Sequence, residues 1–164
     1  MDILKVLVTT GTSSEFTFVR LLKIIDELCE EKVIEENSII VQAEEQGYRA
    51  KHFDMLYQIE NKKFLQIMEE ADLIISHAGT GTVTSALKMG KKIIVFPRMA
   101  EYGELIDNHQ LDLCRIFEEK HYILVARNND ELRDNIKNID RYRFEKFSTN
   151  SEKFVDFLET VLLD

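Results

Sequence analysis

Short apolar runs alternate with helical periodicity along most of the chain. Residues 3–9 (Ile3-Leu4-Lys5-Val6-Leu7-Val8-Thr9) are mostly apolar and β-branched, which predicts a buried strand. A turn over 10–14 follows. Over 18–30 the apolar residues Phe18, Leu21, Leu22, Ile25 and Leu28 recur at helical spacing. Further strands are predicted over 38–42, 54–57, 72–76, 93–96 and 122–125, with 54–57 the weakest pattern. Further helices are predicted over 64–71, 82–89, 108–119 and 130–139. Gly79 to Gly81 reads as a turn, and Gly90 stands where a helix should stop. Pro97, the sole proline, ends the strand before it. The tail turns charged and aromatic, and Phe154, Phe157, Leu158, Val161 and Leu162 line one face of a terminal helix over about 150–163. That helix either packs on its own domain or grips a partner.

Strands that alternate with helices imply parallel pairing, with helices on both faces of the sheet. Ligands of such sheets bind at the carboxyl ends of the strands. The loops after Thr9, Gln42, Ser76 and Phe96 therefore define the candidate site.

Composition narrows this picture. With 164 residues the chain suits one domain, 1–164, and 45% hydrophobic residues can build its core. The net charge of −9 repels nucleic acid and anionic lipid. A phosphate site must then be local, made of backbone N–H groups or a few placed cations. Cys29 and Cys114 lie in helical patterns, outside any CxxC or Cys/His cluster, and read as core residues with no metal or redox role. Asp2 and Lys5 interrupt the first apolar run, and there is no stretch of about 20 apolar residues. A cytoplasmic setting is the expectation.

The strongest candidate for chemistry is Ser76-His77-Ala78-Gly79-Thr80-Gly81-Thr82, between a strand and a helix. Glycines let the backbone approach a ligand, and free N–H groups with the helix dipole attract phosphate. Thr80 and Thr82 add hydroxyl donors. A tight turn with no ligand would look the same. Thr9-Thr10-Gly11-Thr12 is a second turn of this kind, but it lacks both a full GxGxxG and a P-loop lysine, which disfavours NAD and ATP. The third stretch runs from Pro97-Arg98 through Tyr102-Gly103-Glu104 to Asp107-Asn108-His109-Gln110. Asp107 can cap the next helix, while Asn108, His109 and Gln110 suit sugar hydroxyls. His52 and His121 have no evident partners and read as surface residues.

Taken in order, these stretches resemble the C-terminal domain of the family 28 glycosyltransferases. Val8-Thr9-Thr10-Gly11-Thr12, Phe18-Val19-Arg20-Leu21 and Ile75 to Thr82 carry the likeness, with Ala86-Leu87, Gly90 to Arg98 and Asn108-His109-Gln110-Leu111. It is similar in particular to the small standalone subunits of capsule and exopolysaccharide synthesis. The resemblance implies a Rossmann-like α/β domain, the C-terminal, donor-binding half of a GT-B fold. It implies an inverting, UDP-sugar-dependent transferase with no cofactor and no metal. A separate membrane-associated subunit would bind a lipid-linked saccharide acceptor and recruit this cytoplasmic chain to the inner face of the membrane. The alternative is an inactive accessory that stabilises a partner transferase.

By the same resemblance, Gly11, Thr12, His77, Ala78, Gly79, Thr80, Gly81, Thr82 and Ser85 would contact the nucleotide and its diphosphate. Arg98, Asn108, His109 and Gln110 would face the donor sugar. The catalytic base is unknown, with Glu15 a weak candidate. Two positions depart from the family pattern. Ser85 stands where many members have a ribose-binding glutamate, and Leu105 where the polysaccharide subunits often have histidine.

Overall fold

In the computed structural model six parallel strands form one sheet in the order β3-β2-β1-β4-β5-β6. The structure describes residues 3–11, 16–45, 47–104 and 109–147. Thr12, Glu15, Leu105, Asp107, Asn108 and the expected terminal helix lie outside the described residues. The strands are β1 (Val6–Thr9), β2 (Ile39–Gln42), β3 (Met55–Leu56), β4 (Leu73–Ser76), β5 (Lys92–Val95) and β6 (Leu124–Val125). Between them run α1 (Val19–Glu30), α2 (Asn61–Glu70), α3 (Thr80–Lys88), α4 (His109–Glu119) and α5 (Asn129–Lys137).

Alternation along the strands divides the core in two. Val6, Val8, Val41, Ile75 and Ile94 point to one face, where α1 covers them with Leu21, Leu22, Ile25 and Leu28, and α5 with Leu132 and Ile136. Leu7, Ile74, Ile93 and Val95 point the other way, under α2 (Met68), α3 (Val83, Ala86) and α4 (Leu113, Phe117). Helices thus cover both faces, as the alternating pattern requires. Each fully buried Leu or Ile removes enough apolar area to contribute about 1.5–3 kcal/mol. Cys29 and Cys114 are free and buried in this core, and burial pushes both thiols up to about 12.

Several boundaries differ from the sequence reading, each for a local reason. β1 begins at Val6, not Ile3, because its neighbours start pairing there: Val6 lies opposite Ile39 and Leu73. α2 starts three residues early, where the Phe64 N–H donates to the Glu60 carbonyl at 2.9 Å. α3 starts at Thr80, so Thr80 and Gly81 form its first turn instead of the expected loop. α5 begins after Asn128, whose side chain accepts from the Glu131 N–H at 2.9 Å, and Ile139 falls in a separate 3₁₀ turn. His52 and His121 are not without partners. His52 Nδ1 lies 2.7 Å from Glu36 Oε1, and His121 Nδ1 lies 3.1 Å from the Tyr142 hydroxyl.

One buried carboxylate fixes the β2–β3 connection. Asp26 of α1 accepts from the Tyr48 hydroxyl at 2.6 Å and from the Lys51 and His52 N–H groups at 3.0 Å. Burial, then the bond to Asp26, pushes the Tyr48 hydroxyl up to about 12. The chain entering β3 is thereby held against α1.

Candidate functional site

Strand order reverses between β1 and β4, where one crossover leaves to each side. Open parallel sheets bind ligands at such a switch point, beyond the carboxyl ends of the strands. Thr9 and Ser76 end the two strands side by side. Gly11 follows one and His77 to Gly79 follow the other, so the structure brings the two glycine turns together.

The His77 ring fills the space between them. A Cβ placed on Gly11 would lie 2.6 Å from His77 Nε2, and one on Gly79 would overlap the same ring at Cε1. Gly11 also has a φ of +83°, a conformation that non-glycine residues rarely adopt. Its turn is anchored by β2: Gln42 Nε2 donates to the Gly11 carbonyl at 3.3 Å, and the Thr9 hydroxyl meets Gln42 Oε1 at 2.5 Å. The residue types at Gly11, Gly79 and His77 are thus fixed by mutual packing.

Gly79 is the N-cap of α3 and gives no side-chain cap, and its carbonyl accepts from the Val83 N–H at 3.1 Å. The N–H groups of the first turn have no partner within the helix, and their dipoles point towards the crevice. A cleft of about 350 Å³ opens there, lined by Thr9, Gly11, His77, Gly79, Gly81 and Thr82 on one side. Gln42, Glu44, Gln58, Ile59, Asn61 and Phe64 line the other. No lysine or arginine is among these residues, so an anion bound here would be held by backbone N–H and hydroxyl groups. Among the described residues no group of three or more His, Cys, Asp or Glu is placed to hold a metal.

Burial, and then the nearby charge of Arg98, lower the His77 imidazole to about 4. The ring is therefore neutral at pH 7, able to donate from one nitrogen and accept at the other. The unfolded chain takes up this proton near pH 6.5 and the folded chain only near 4, so protonation favours unfolding between those values. Stability attached to His77 is complete above pH 6.5 and lost as the pH falls towards 4. A shift of this size corresponds to about 3 kcal/mol. Urea denaturation at pH 7 and pH 4 should give a smaller difference for His77→Asn than for the parent chain. Equal differences would remove His77 as the source.

Other expected contacts fall elsewhere. Ala78 is fully buried and packs into the core on the α3 side, so its methyl is no ligand contact. Thr80 and Ser85 lie on α3, half-buried, outside the cleft lining. Gln110 is on the first turn of α4, and its side-chain oxygen is buried without a partner among the described residues. His109 opens the same helix.

Arg98 does not reach the cleft. The residue is 4% exposed, and its guanidinium donates to the carbonyls of Phe16 at 2.9 Å, Glu104 at 3.2 Å and Thr10 at 2.6 Å. This side chain ties the loop after β5 to the loop after β1. A second tie runs beside it. Arg20 Nε donates to Glu104 Oε1 at 2.8 Å and its Nη2 to Glu104 Oε2 at 2.9 Å, while Glu104 also accepts from the Met99 N–H at 2.8 Å. The Arg20 guanidinium stacks 4.7 Å from the Phe96 and Tyr102 ring centres. Neither Arg20 nor Glu104 stands out in the sequence as a pair, since 84 positions separate them.

The cleft residues missed from sequence share one position in the fold. Gln42, Glu44, Gln58, Ile59, Asn61 and Phe64 follow β2 and β3. The loop after Gln42 is marked by topology, but no residue type within it carries a motif. The two-residue β3 gives too weak a pattern to mark Gln58 and Ile59.

Comparison with known proteins agrees with this geometry. The UDP-N-acetylglucosamine transferase subunit ALG13 of Kluyveromyces lactis is 30% identical over 148 residues, covering 87% of this chain and 65% of that protein. That of Yarrowia lipolytica is 38% identical over 65 residues, covering 40% of this chain and 31% of that protein. The matched region thus spans less than two thirds of these relatives. Two solved structures share the fold. The solution structure of ALG13 superposes with a TM-score of 0.62 at 20% identity, covering 98% of each chain. MurG of Acinetobacter baumannii gives 0.60 at 14% identity, covering 97% of this chain and 50% of its own. Residues 5–161 match the glycosyltransferase family 28 C-terminal domain, and the chain belongs to that family.

Proposed function

We propose that this chain is the donor-binding catalytic subunit of an inverting, UDP-sugar-dependent glycosyltransferase whose acceptor-binding half is a separate, membrane-associated subunit. The observation that carries it is the Gly11–His77–Gly79 stack at the switch point, beside the uncapped start of α3. A diphosphate seated there meets N–H groups and threonine hydroxyls. When the sugar leaves, negative charge grows on the β-phosphate, and dipoles already aimed at that point stabilise it without reorganising. The nucleoside would lie in the cleft towards β2 and β3, with the base against Ile59 and Phe64. The donor sugar would extend the other way, towards the start of α4.

The relatives are named as UDP-N-acetylglucosamine transferase subunits, which makes UDP-N-acetylglucosamine the first donor to try. A place in capsular or exopolysaccharide synthesis, with a lipid-linked acceptor, rests on the sequence resemblance. The acceptor hydroxyl needs a base, and the partner is the first place to look for it.

Calorimetric titration with UDP tests the donor site. Binding in the range of about 1 µM to 1 mM, usual for enzyme substrates, is expected. The chain, its partner and an acceptor lipid should then transfer labelled sugar. No UDP binding together with tight partner binding would instead make the chain an accessory, a reading that the serine at position 85 favours.

A further inference from the structure

We propose that Gln42 is a positioning residue for the donor diphosphate, acting by fixing the Gly11 turn, an inference that rests on the nucleotide site above. Gln42 is the last residue of β2 and lies opposite Thr9, the last residue of β1. Both line the cleft, and Gln42 is buried. Three hydrogen bonds close a ring there. The Gly11 N–H donates to the Thr9 hydroxyl at 3.3 Å, the Thr9 hydroxyl donates to Gln42 Oε1 at 2.5 Å, and Gln42 Nε2 donates to the Gly11 carbonyl at 3.3 Å. A carbonyl only accepts, so one orientation of the amide serves all three bonds. Each member both gives and receives, which strengthens the ring beyond its separate bonds.

A glycine needs such a tie. Gly11 has a φ of +83° and no side chain, so its own backbone does little to hold the turn in one conformation. The turn lies against the His77 ring, and the ring lies against Gly79, the N-cap of α3. Contacts therefore run from Gln42 through Gly11 and His77 to the first N–H groups of α3. Once the ring of hydrogen bonds is broken, the Gly11 turn can shift and the imidazole with it. Binding sites tolerate little displacement of their donors, so the diphosphate loses affinity. The base, seated against Ile59 and Phe64 in the proposed function, keeps its own contacts.

NMR-detected titration with UDP, and with uridine, which lacks both phosphates, compares Gln42→Leu with the parent chain. The variant should bind UDP at least about tenfold more weakly, as the loss of buried hydrogen bonds implies, and uridine as the parent does. Gln42→Glu adds a readout that packing alone would not move. Its ionised carboxylate cannot donate to the Gly11 carbonyl, and burial, Glu44 in the same lining and the diphosphate all raise its pKa. Protonated, the carboxyl donates from one oxygen and accepts at the other, as the amide does. UDP-N-acetylglucosamine keeps its phosphates ionised over the range used. It should bind Gln42→Glu at least about tenfold more weakly than the parent at pH 8, and nearly as tightly as the parent at pH 5. A deficit equal at both pH values overturns the assignment. So does Gln42→Leu if it binds UDP as the parent does, or loses UDP and uridine by one factor. Each of these outcomes leaves the donor site standing. A parent chain that binds neither UDP nor UDP-N-acetylglucosamine overturns the donor site and the role of Gln42 together.

Discussion

Gly79→Ala should weaken UDP binding by about a hundredfold or more, while the chain stays folded. The backbone at Gly79 is ordinary, with φ −68° and ψ 123°, so alanine meets no conformational barrier there. The obstacle is the His77 ring, which the new methyl would overlap. Either the ring leaves its place or the Gly79 turn shifts, and both carry the first N–H groups of α3 off target. Overpacking of this kind costs about 1–3 kcal/mol of stability. Misplaced donors cost more in binding, because catalytic and anion sites tolerate displacements well under 1 Å. The cause can be isolated. Adding His77→Ala removes the ring, so the double variant should regain stability, measured by urea unfolding, over Gly79→Ala alone. Gly11→Ala should not be rescued in the same way. Its φ of +83° imposes a backbone cost of about 1–2 kcal/mol that removing His77 leaves in place. Gly81→Ala is the control, since a Cβ there meets nothing within 4 Å and the residue lies inside α3. Helix propensity predicts a gain of up to about 1 kcal/mol. Titration with UDP and urea curves on these four proteins decide the matter. Equal binding by Gly79→Ala and the parent would refute the role given to the stack.

The contrast among Gly11, Gly79 and Gly81 also shows what the sequence holds and what it does not. The order of strands and helices is legible because apolar positions repeat with periods of two and 3.6, and because Gly90 and Pro97 punctuate them. The candidate crevice is legible too, since a parallel sheet puts its loops at one end. The packing partner of each glycine is not. His77 reads as one more ligand contact in the string Ser76 to Thr82, yet its ring is the spacer that forces glycine on both turns. Arg98 reads as a donor contact beside Pro97, yet its guanidinium bonds the Phe16, Thr10 and Glu104 carbonyls. Both packing roles escape the sequence for one reason. A charged or polar residue in a site loop looks alike in sequence whether it faces ligand or backbone. Only burial and the direction of the side chain separate the two. Glu44 is the converse case, an ordinary acid in a charged loop that topology alone brings into the cleft.

Removing one half of the Arg20–Glu104 pair should cost unequal amounts. The Glu104 side chain is 5% exposed and that of Arg20 is 24% exposed. Arg20→Ala leaves a buried carboxylate whose remaining donor is the Met99 N–H at 2.8 Å. An unpaired buried charge of this kind costs about 3–5 kcal/mol. Arg20→Ala also strips the guanidinium from the Phe96 and Tyr102 rings, a further loss of about 0.5–1 kcal/mol. Glu104→Ala leaves an arginine that can turn towards water and keep its bond to the Pro97 carbonyl at 3.2 Å. Its cost should be smaller by about 1–2 kcal/mol, the remainder being mainly the orphaned Met99 N–H. The joint replacement Arg20→Met with Glu104→Leu leaves no buried charge, and should recover much of the loss in Arg20→Ala. Urea denaturation of the three variants measures these differences. Equal losses for the two single variants would mean that both groups are solvated in solution. The clamp also ties residues 97–104, which follow β5, to α1, so affinity should follow stability in one specific way. On the proposed function, which sends the donor sugar towards the start of α4, a UDP-sugar should lose more affinity than UDP in Arg20→Ala.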